Sequence, residues 1–174
     1  MPEPHEWAKW ILERMARKAV LEFGCGPGRI PWLFTNMEKV INTYVGVDIN
    51  KEAIEFARGI HADREGIEFR EIEAPDKLIR LPAREVMLAH TVFLHLDDND
   101  MHLVLMALRC PSVIVSEVMG REYAHPGNEE VPPCFNRAPG DYEHLFEFYG
   151  YKLVDADIFK YQDKHLTTML FRGA

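Results

Sequence analysis

The sequence predicts an α/β domain with a mostly parallel sheet, and three observations carry that expectation. Short apolar runs alternate with amphipathic helical stretches from residue 19 to residue 117. A glycine cluster follows directly on the first run, and a lone acid closes the second. Two closing strands lie too near each other for a parallel return, which needs a crossover of roughly a dozen residues, so they must pair antiparallel.

Taken in order, residues 5–18 carry Trp7, Trp10, Ile11 and Met15 at the spacing of one helical face. Ala19-Val20-Leu21-Glu22-Phe23 reads as a strand that runs into glycine. Thr43-Tyr44-Val45-Gly46-Val47-Asp48-Ile49 is a second, mostly apolar strand, and the helix from Lys51 offers Ile54, Phe56, Ala57 and Ile60 as a wide apolar face. Ile67-Glu68-Phe69-Arg70-Glu71-Ile72 alternates as a third strand. Val86-Met87-Leu88-Ala89 makes the fourth, a helix around residues 101–108 follows, and Ser112-Val113-Ile114-Val115-Ser116 makes the fifth. Such an alternation calls for a parallel sheet covered on both faces.

Residues 119–140 break the pattern with four prolines and three glycines. Long irregular connections in a small domain are usually functional, so this stretch is expected to be a substrate lid or binding loop. Asp141 reads as the cap of a helix through Phe148, ended by Gly150. Residues 151–161 and 165–171 are the closing strands, joined by a polar turn around Gln162-Asp163-Lys164.

A chain of 174 residues supports one core and therefore one domain, 1–174. With 28 acidic against 20 basic side chains, its formal charge of -8 repels a phosphate backbone at long range. Arg58 with Arg64, and Lys77 with Arg80 and Arg84, are the local basic groups, and they read as solvated surface. No apolar stretch is long enough to span a bilayer, and the opening residues lack the basic flank and apolar core of a secretory signal. Cys25, Cys110 and Cys134 show no pairing pattern. The expectation is a cytoplasmic protein with reduced thiols and no membrane partner.

Chemistry concentrates at two places. Gly24, Gly26 and Gly28 let the backbone turn sharply and approach a ligand, and the following helix offers free N–H groups. Their spacing is neither the G-x-G-x-x-G of dinucleotide enzymes nor a phosphate loop ending in G-K-[ST], which weakens an NAD-dependent reading. Asp48, at the end of the second strand, is suited to accept hydrogen bonds from both hydroxyls of an adenosine ribose.

Val20-Leu21-Glu22-Phe23-Gly24-Cys25-Gly26-Pro27-Gly28 resembles the glycine-rich first motif of the class I S-adenosylmethionine-dependent methyltransferases, and Tyr44-Val45-Gly46-Val47-Asp48-Ile49 resembles their second strand. The resemblance runs from about Val20 to Phe171. It implies a Rossmann-like three-layer sandwich whose seven-stranded sheet has the order 3-2-1-4-5-7-6 and an antiparallel closing strand. It also implies S-adenosyl-L-methionine as cofactor and S-adenosyl-L-homocysteine as product. By the same resemblance Glu22 helps hold the methionine end and the backbone of Gly24, Cys25 and Gly26 approaches it. Asp48 takes the ribose hydroxyls, Ile49 packs against adenine, and Glu73 stands where many members carry an aspartate near the adenine amino group. His90-Thr91-Val92-Phe93-Leu94-His95-Leu96 resembles the segment bordering the donor methyl, which brings in His90, Thr91 and His95.

His90 and Glu117 are the candidate catalytic residues, and Tyr123 and Arg137 the candidate acceptor contacts from the late loop, with His95 and His125 as further positioners. The chain lacks the [DNS]-P-P-[YFW] element of amino-base methylation and the acids of a metal-dependent catechol enzyme. His95, Asp97, Asp98, Asp100 and His102 crowd together, but read as a solvated turn before a helix, so no metal is expected. The leading acceptor is a small molecule methylated on oxygen or nitrogen. A protein or RNA acceptor, and a noncatalytic S-adenosylmethionine-binding or interaction module, are the alternatives. Nothing in the sequence sets the oligomeric state.

Overall fold

The computed structural model describes residues 6–33, 40–127, 133–161 and 164–173. His5, the stretch 128–132 of the late loop, and Gln162 with Asp163 of the closing turn lie outside the described residues. Five helices are described: α1 (Glu6–Met15), α2 (Arg29–Leu33), α3 (Lys51–Ile60), α4 (Asp98–Ala107) and α5 (Pro139–Phe148). The strands are β1 (Ala19–Phe23), β2 (Thr43–Asp48), β3 (Ile67–Glu71), β4 (Val86–His90), β5 (Ser112–Glu117), β6 (Tyr151–Tyr161) and β7 (Lys164–Gly173). They form one sheet of order β3-β2-β1-β4-β5-β7-β6. β1 to β5 pair in parallel, while β7 runs antiparallel to both β5 and β6.

Alternation along the central strands divides the apolar side chains between two layers. Val20, Tyr44, Leu88 and Ile114 face α1, α2 and α3, where Trp7, Ile11, Ile30 and Ile54 pack against them. Leu21, Phe23, Met87, Val113 and Phe171 face α4 and α5, with Met101, Val104, Tyr142 and Phe146. Because both faces are covered, β4 and β5 read as unbroken buried runs. Parallel strands ending side by side put their C-terminal ends at one edge, and the order reverses between β1 and β4. Open α/β sheets bind ligands at that switch point.

The helices start and stop for local reasons. Asn50 caps α3 by accepting from the Ala53 N–H at 3.0 Å, and Asp97 caps α4 by accepting from Asp100 at 2.9 Å. That second cap starts α4 at Asp98, earlier than the apolar spacing suggests. Asp141 is not the cap of α5: the helix begins at Pro139, and Asp141 reaches back to the Ala138 N–H at 2.8 Å from the first turn. Nor does α3 bury all four expected residues. Ile54 and Ala57 are buried, whereas Phe56 and Ile60 are exposed. α1 is held by Arg14, whose guanidinium lies 3.5 Å from the Trp10 ring centroid and donates through Nε to Asp155 of β6 at 3.0 Å.

Among the described residues no helix is long and apolar enough to cross a membrane. All three cysteines are free and buried.

Phe146 ties α5 to the sheet: its ring stacks on Phe171 at 4.1 Å between centroids, and both are fully buried. Phe146→Ala should therefore lower unfolding free energy by about 3–5 kcal/mol, the range for deleting a buried aromatic ring. Urea unfolding followed by circular dichroism measures it. A loss under about 1 kcal/mol would mean that the α5 layer packs loosely.

Candidate functional site

β1 and β2 place the glycine turn and the acid against each other. Gly24 and Cys25 donate their N–H groups to the Val47 carbonyl at 2.8 and 3.0 Å. Gly24 has φ +71°, and a Cβ there would lie 2.2 Å from Cγ2 of Val92, so only a bare Cα fits. Gly26, at φ +51°, has nothing within 4 Å of where its Cβ would stand. The backbone at Gly26 is therefore open to a ligand. Asp48 fixes this shape, accepting from the Gly26 N–H on Oδ2 at 2.8 Å and from the Asn50 N–H on Oδ1 at 2.9 Å. Beside it, Ile49 is 65% exposed.

Below the turn lies Glu22, buried and bonded by the Tyr44 hydroxyl. Burial pushes its carboxyl up to about 8 against the downward pull of that hydrogen bond, and the nearby Asp48 charge adds to the rise. Glu22 pairs in register with Gly46, whose missing side chain leaves room for Cys25: a Cβ there would meet Cys25 and Phe69 at 2.9 Å. Burial, then the Glu22 and Asp48 carboxylates, push the Cys25 thiol far up, so it is not a nucleophile. At the far end of the turn, His61 donates from Nε2 to the Gly28 carbonyl at 2.9 Å.

The second half of the site follows β4. His90 is buried, its ring stacked on Trp7 at 4.6 Å and 9°. Neither ring nitrogen has a hydrogen-bond partner among the described residues. Burial, and secondarily the Arg29 charge, holds the imidazole down at about 3, so it is neutral at physiological pH. Thr91 adopts φ +52°. A β-branched residue in the left-handed region costs of order 1–3 kcal/mol, and such strain gathers at functional sites. Its N–H is held by the Ser116 carbonyl at 2.8 Å. A 3-10 turn, Phe93–His95, then leads towards α4.

Two of the candidate site residues bond the turn that follows β4. Glu117 is fully buried, and its Oε1 accepts from the N–H groups of Val92 and Phe93 at 2.9 and 2.8 Å, while Oε2 has no hydrogen-bond partner among the described residues. Arg137, the candidate acceptor contact, is committed to the fold through its guanidinium. It is 8% exposed and donates to the carbonyls of Phe93 and Leu96 at 3.2 and 3.0 Å and to Asp98 at 2.7 Å. Tyr123, half-buried in a 3-10 turn, has the Lys164 ammonium 5.4 Å from its ring centroid. His95 is exposed and its Nδ1 donates to the Pro133 carbonyl at 3.2 Å, while His125 is bridged through its backbone to Cys134. Glu73 is exposed, two residues beyond β3. The acidic and histidine set before α4 disperses, with Asp97 capping, Asp98 on Arg137 and His102 on Tyr149, and no metal-binding group forms among the described residues.

Tyr44, His61 and Val92 are site residues that the sequence does not announce. Tyr44 and Val92 look like core, and His61 reaches Gly28 from 33 positions away. A cavity of about 720 Å³ opens between α4, α5 and the late loop, lined by Arg121, Phe135, Arg137, His144 and Phe148 among others. No glycine-turn residue lines it, nor does Asp48, so it is separate from the crevice at the strand ends.

His90 makes the folded state sensitive to acid. Its folded pKa, about 3, lies below the unfolded value of 6.5, so between those limits only the unfolded chain takes up the proton. Stability is lost as pH falls, by about 1.4 kcal/mol per pH unit for one group. The stability advantage of the native chain over a His90→Phe variant should shrink by about 2 kcal/mol from pH 7 to pH 5. Urea unfolding at the two pH values measures this, and parallel profiles would place the imidazole in contact with solvent.

A family model described as a methyltransferase domain matches residues 15–108. No curated protein matches the chain. Solved structures match its fold closely. The 1,6-didemethyltoxoflavin-N1-methyltransferase of Burkholderia thailandensis, with 1,6-didemethyltoxoflavin and S-adenosylhomocysteine bound, is 18% identical. The match covers 97% of this chain and 77% of that one, at a TM-score of 0.74. An S-adenosylmethionine-dependent methyltransferase of Mesorhizobium loti is 16% identical over 95% and 97% of the two chains, at 0.70. The Synechocystis magnesium protoporphyrin IX methyltransferase, with S-adenosylmethionine bound, is 13% identical over 97% and 76%, at 0.71. At these identities the likeness is one of fold, and it agrees with the strand order above. With more than half of the chain matched by the family model, the protein belongs to the class I S-adenosylmethionine-dependent methyltransferases.

Proposed function

We propose that this protein binds S-adenosylmethionine at the glycine turn and transfers its methyl group to an oxygen or nitrogen of a small molecule. The observation that carries the reading is the Asp48 carboxylate locked to the Gly26 N–H beside an open stretch of backbone. Each Asp48 oxygen accepts one backbone N–H and keeps a lone pair for a ribose hydroxyl. Exposed Ile49 next to it offers an apolar face for adenine. Glu22 and the backbone at Gly24 lie on the side suited to the methionine end.

When bound, the cofactor supplies an electrophilic methyl group on a sulfonium. The work of the chain is then alignment, since in-line displacement gains most from fixed geometry. His90 is the group suited to orient the acceptor. A neutral imidazole with both nitrogens unmet can accept a hydrogen bond from an O–H or N–H and take the proton as the new bond forms. So weak a base does not strip an acceptor beforehand, which favours an acceptor that arrives neutral. The formal charge of -8 argues against a nucleic-acid substrate. Tyr123, in the late loop, is proposed to touch the acceptor and not the cofactor.

Calorimetric titration with S-adenosylmethionine, S-adenosylhomocysteine and NAD tests the cofactor, and tighter binding of NAD would sink the assignment. Asp48→Ala should weaken S-adenosylhomocysteine at least about tenfold, or about 1.4 kcal/mol. With an acceptor identified, His90→Gln should reduce turnover while leaving S-adenosylhomocysteine affinity within about threefold. Full turnover in that variant would remove His90 from the reaction.

A further inference from the structure

We infer that Glu117 and Arg137 are positioning residues that clamp the turn 92–96 between them and press it against Gly24, thereby setting cofactor affinity. The inference rests on the reading of the glycine turn as the cofactor site.

The turn is short of bonds of its own. It begins after the strained Thr91, and its internal backbone bonds are two i to i+3 contacts, from His95 to Val92 at 3.0 Å and from Leu96 to Phe93 at 3.1 Å. A 3-10 turn leaves its first N–H groups and its last carbonyls unmet. Glu117, the last residue of β5, meets the first pair: one oxygen accepts from both Val92 and Phe93. Arg137 donates to the Leu96 carbonyl at the far end and to the Phe93 carbonyl, which also takes the Leu96 N–H, and is anchored by Asp98 at the start of α4. A carboxyl oxygen thus accepts from the donors, and a donor-only guanidinium holds the acceptors. What the clamp positions is Val92, whose side chain occupies the space that a Cβ on Gly24 would need. If the turn relaxes, Val92 moves off the bare Cα and the glycine turn loses its support.

Both side chains are buried, and none of these bonds reaches the crevice. A base in place of a clamp would behave differently on substitution. Gln keeps an acceptor oxygen in the position of Oε1 but cannot take a proton, so it spares a clamp and disables a base.

The test compares Glu117→Met, Glu117→Gln and Arg137→Met by S-adenosylhomocysteine calorimetry and by amide hydrogen exchange of the ligand-free protein. Glu117→Met and Arg137→Met should weaken S-adenosylhomocysteine at least about tenfold, whereas Glu117→Gln should stay within about threefold. Exchange at the amides of Val92 and Phe93 should quicken at least about tenfold in Glu117→Met and stay near wild type in Glu117→Gln. Native affinity in a folded Glu117→Met protein would overturn the proposal. So would Glu117→Gln that binds S-adenosylhomocysteine fully yet loses turnover, because that pattern belongs to a base. Should Glu117→Met fail to fold, Arg137→Met and Glu117→Gln decide the matter by the same criteria. Wild-type protein that does not bind S-adenosylhomocysteine would defeat the cofactor reading. In that event, unchanged exchange at Val92 and Phe93 would separately defeat the clamp.

Discussion

The central strands are covered on both faces, and the rest of the site depends on how polar residues survive at their ends. β1, β4 and β5 lie side by side, and each carries one titratable residue near its C-terminus: Glu22, His90 and Glu117. All three are removed from water, and burial is the leading cause of each pKa shift. A buried polar group without partners costs roughly 1–3 kcal/mol, so each must find a hydrogen bond or be kept for a ligand. Glu22 finds the Tyr44 hydroxyl, and Glu117 finds two backbone amides. His90 finds a stacking partner but no hydrogen bond among the described residues. Of the three, only His90 has no hydrogen bond on any polar atom among the described residues, although Oε2 of Glu117 is also unmet.

Burial acts on these groups with opposite signs. Glu22 and Glu117 are both raised to about 8, while His90 is lowered to about 3. Near neutral pH the strand ends therefore carry little charge, although the sequence places two acids and a base there. For the carboxyls, the unfolded value near 4.5 lies below the folded one. Their contribution is fully present below pH 4.5 and is lost as pH rises towards 8. His90 works the other way, losing stability as pH falls below 6.5. Between about pH 3 and 8 all three groups are uncharged in the folded chain, in an apolar setting. Such a setting strengthens any hydrogen bond made to an acceptor within it.

Much of this was legible from the residues alone, and the exceptions have a common cause. The strands, their order and the antiparallel closing pair follow from alternation, connection length and the family resemblance. Gly24, Gly26 and Asp48 stand out because few other residue types meet the backbone and hydrogen-bonding demands of that turn. Arg137 reads as a ligand contact in the sequence because it is a basic residue in an irregular loop, and its hydrogen bonds to the turn after β4 are not legible there. Its partners are carbonyls 41 and 44 residues away, and backbone carbonyls leave no mark in a sequence. Glu117 is a similar case. Position at a strand end near the crevice is readable, but whether the carboxylate turns outward or back to the chain is not. Phe56 and Ile60 failed for a simpler reason: apolar identity does not force burial when α3 already meets the sheet through Ile54 and Ala57.

By itself the sequence determined the layer architecture, the glycine turn and the acid opposite it. Those features rest on local backbone geometry and on periods of two and 3.6 residues, which are written into neighbouring positions. Only the tertiary structure decided which polar residues at the strand ends are spoken for. That Asp48 bonds Gly26, that Glu22 is capped by Tyr44, that Trp7 covers His90, and that Glu117 with Arg137 grips the turn beside Gly24 are long-range facts. They depend on which groups the sheet order and register bring into contact, and hydrogen-bond and stacking reach are set in space and not along the chain.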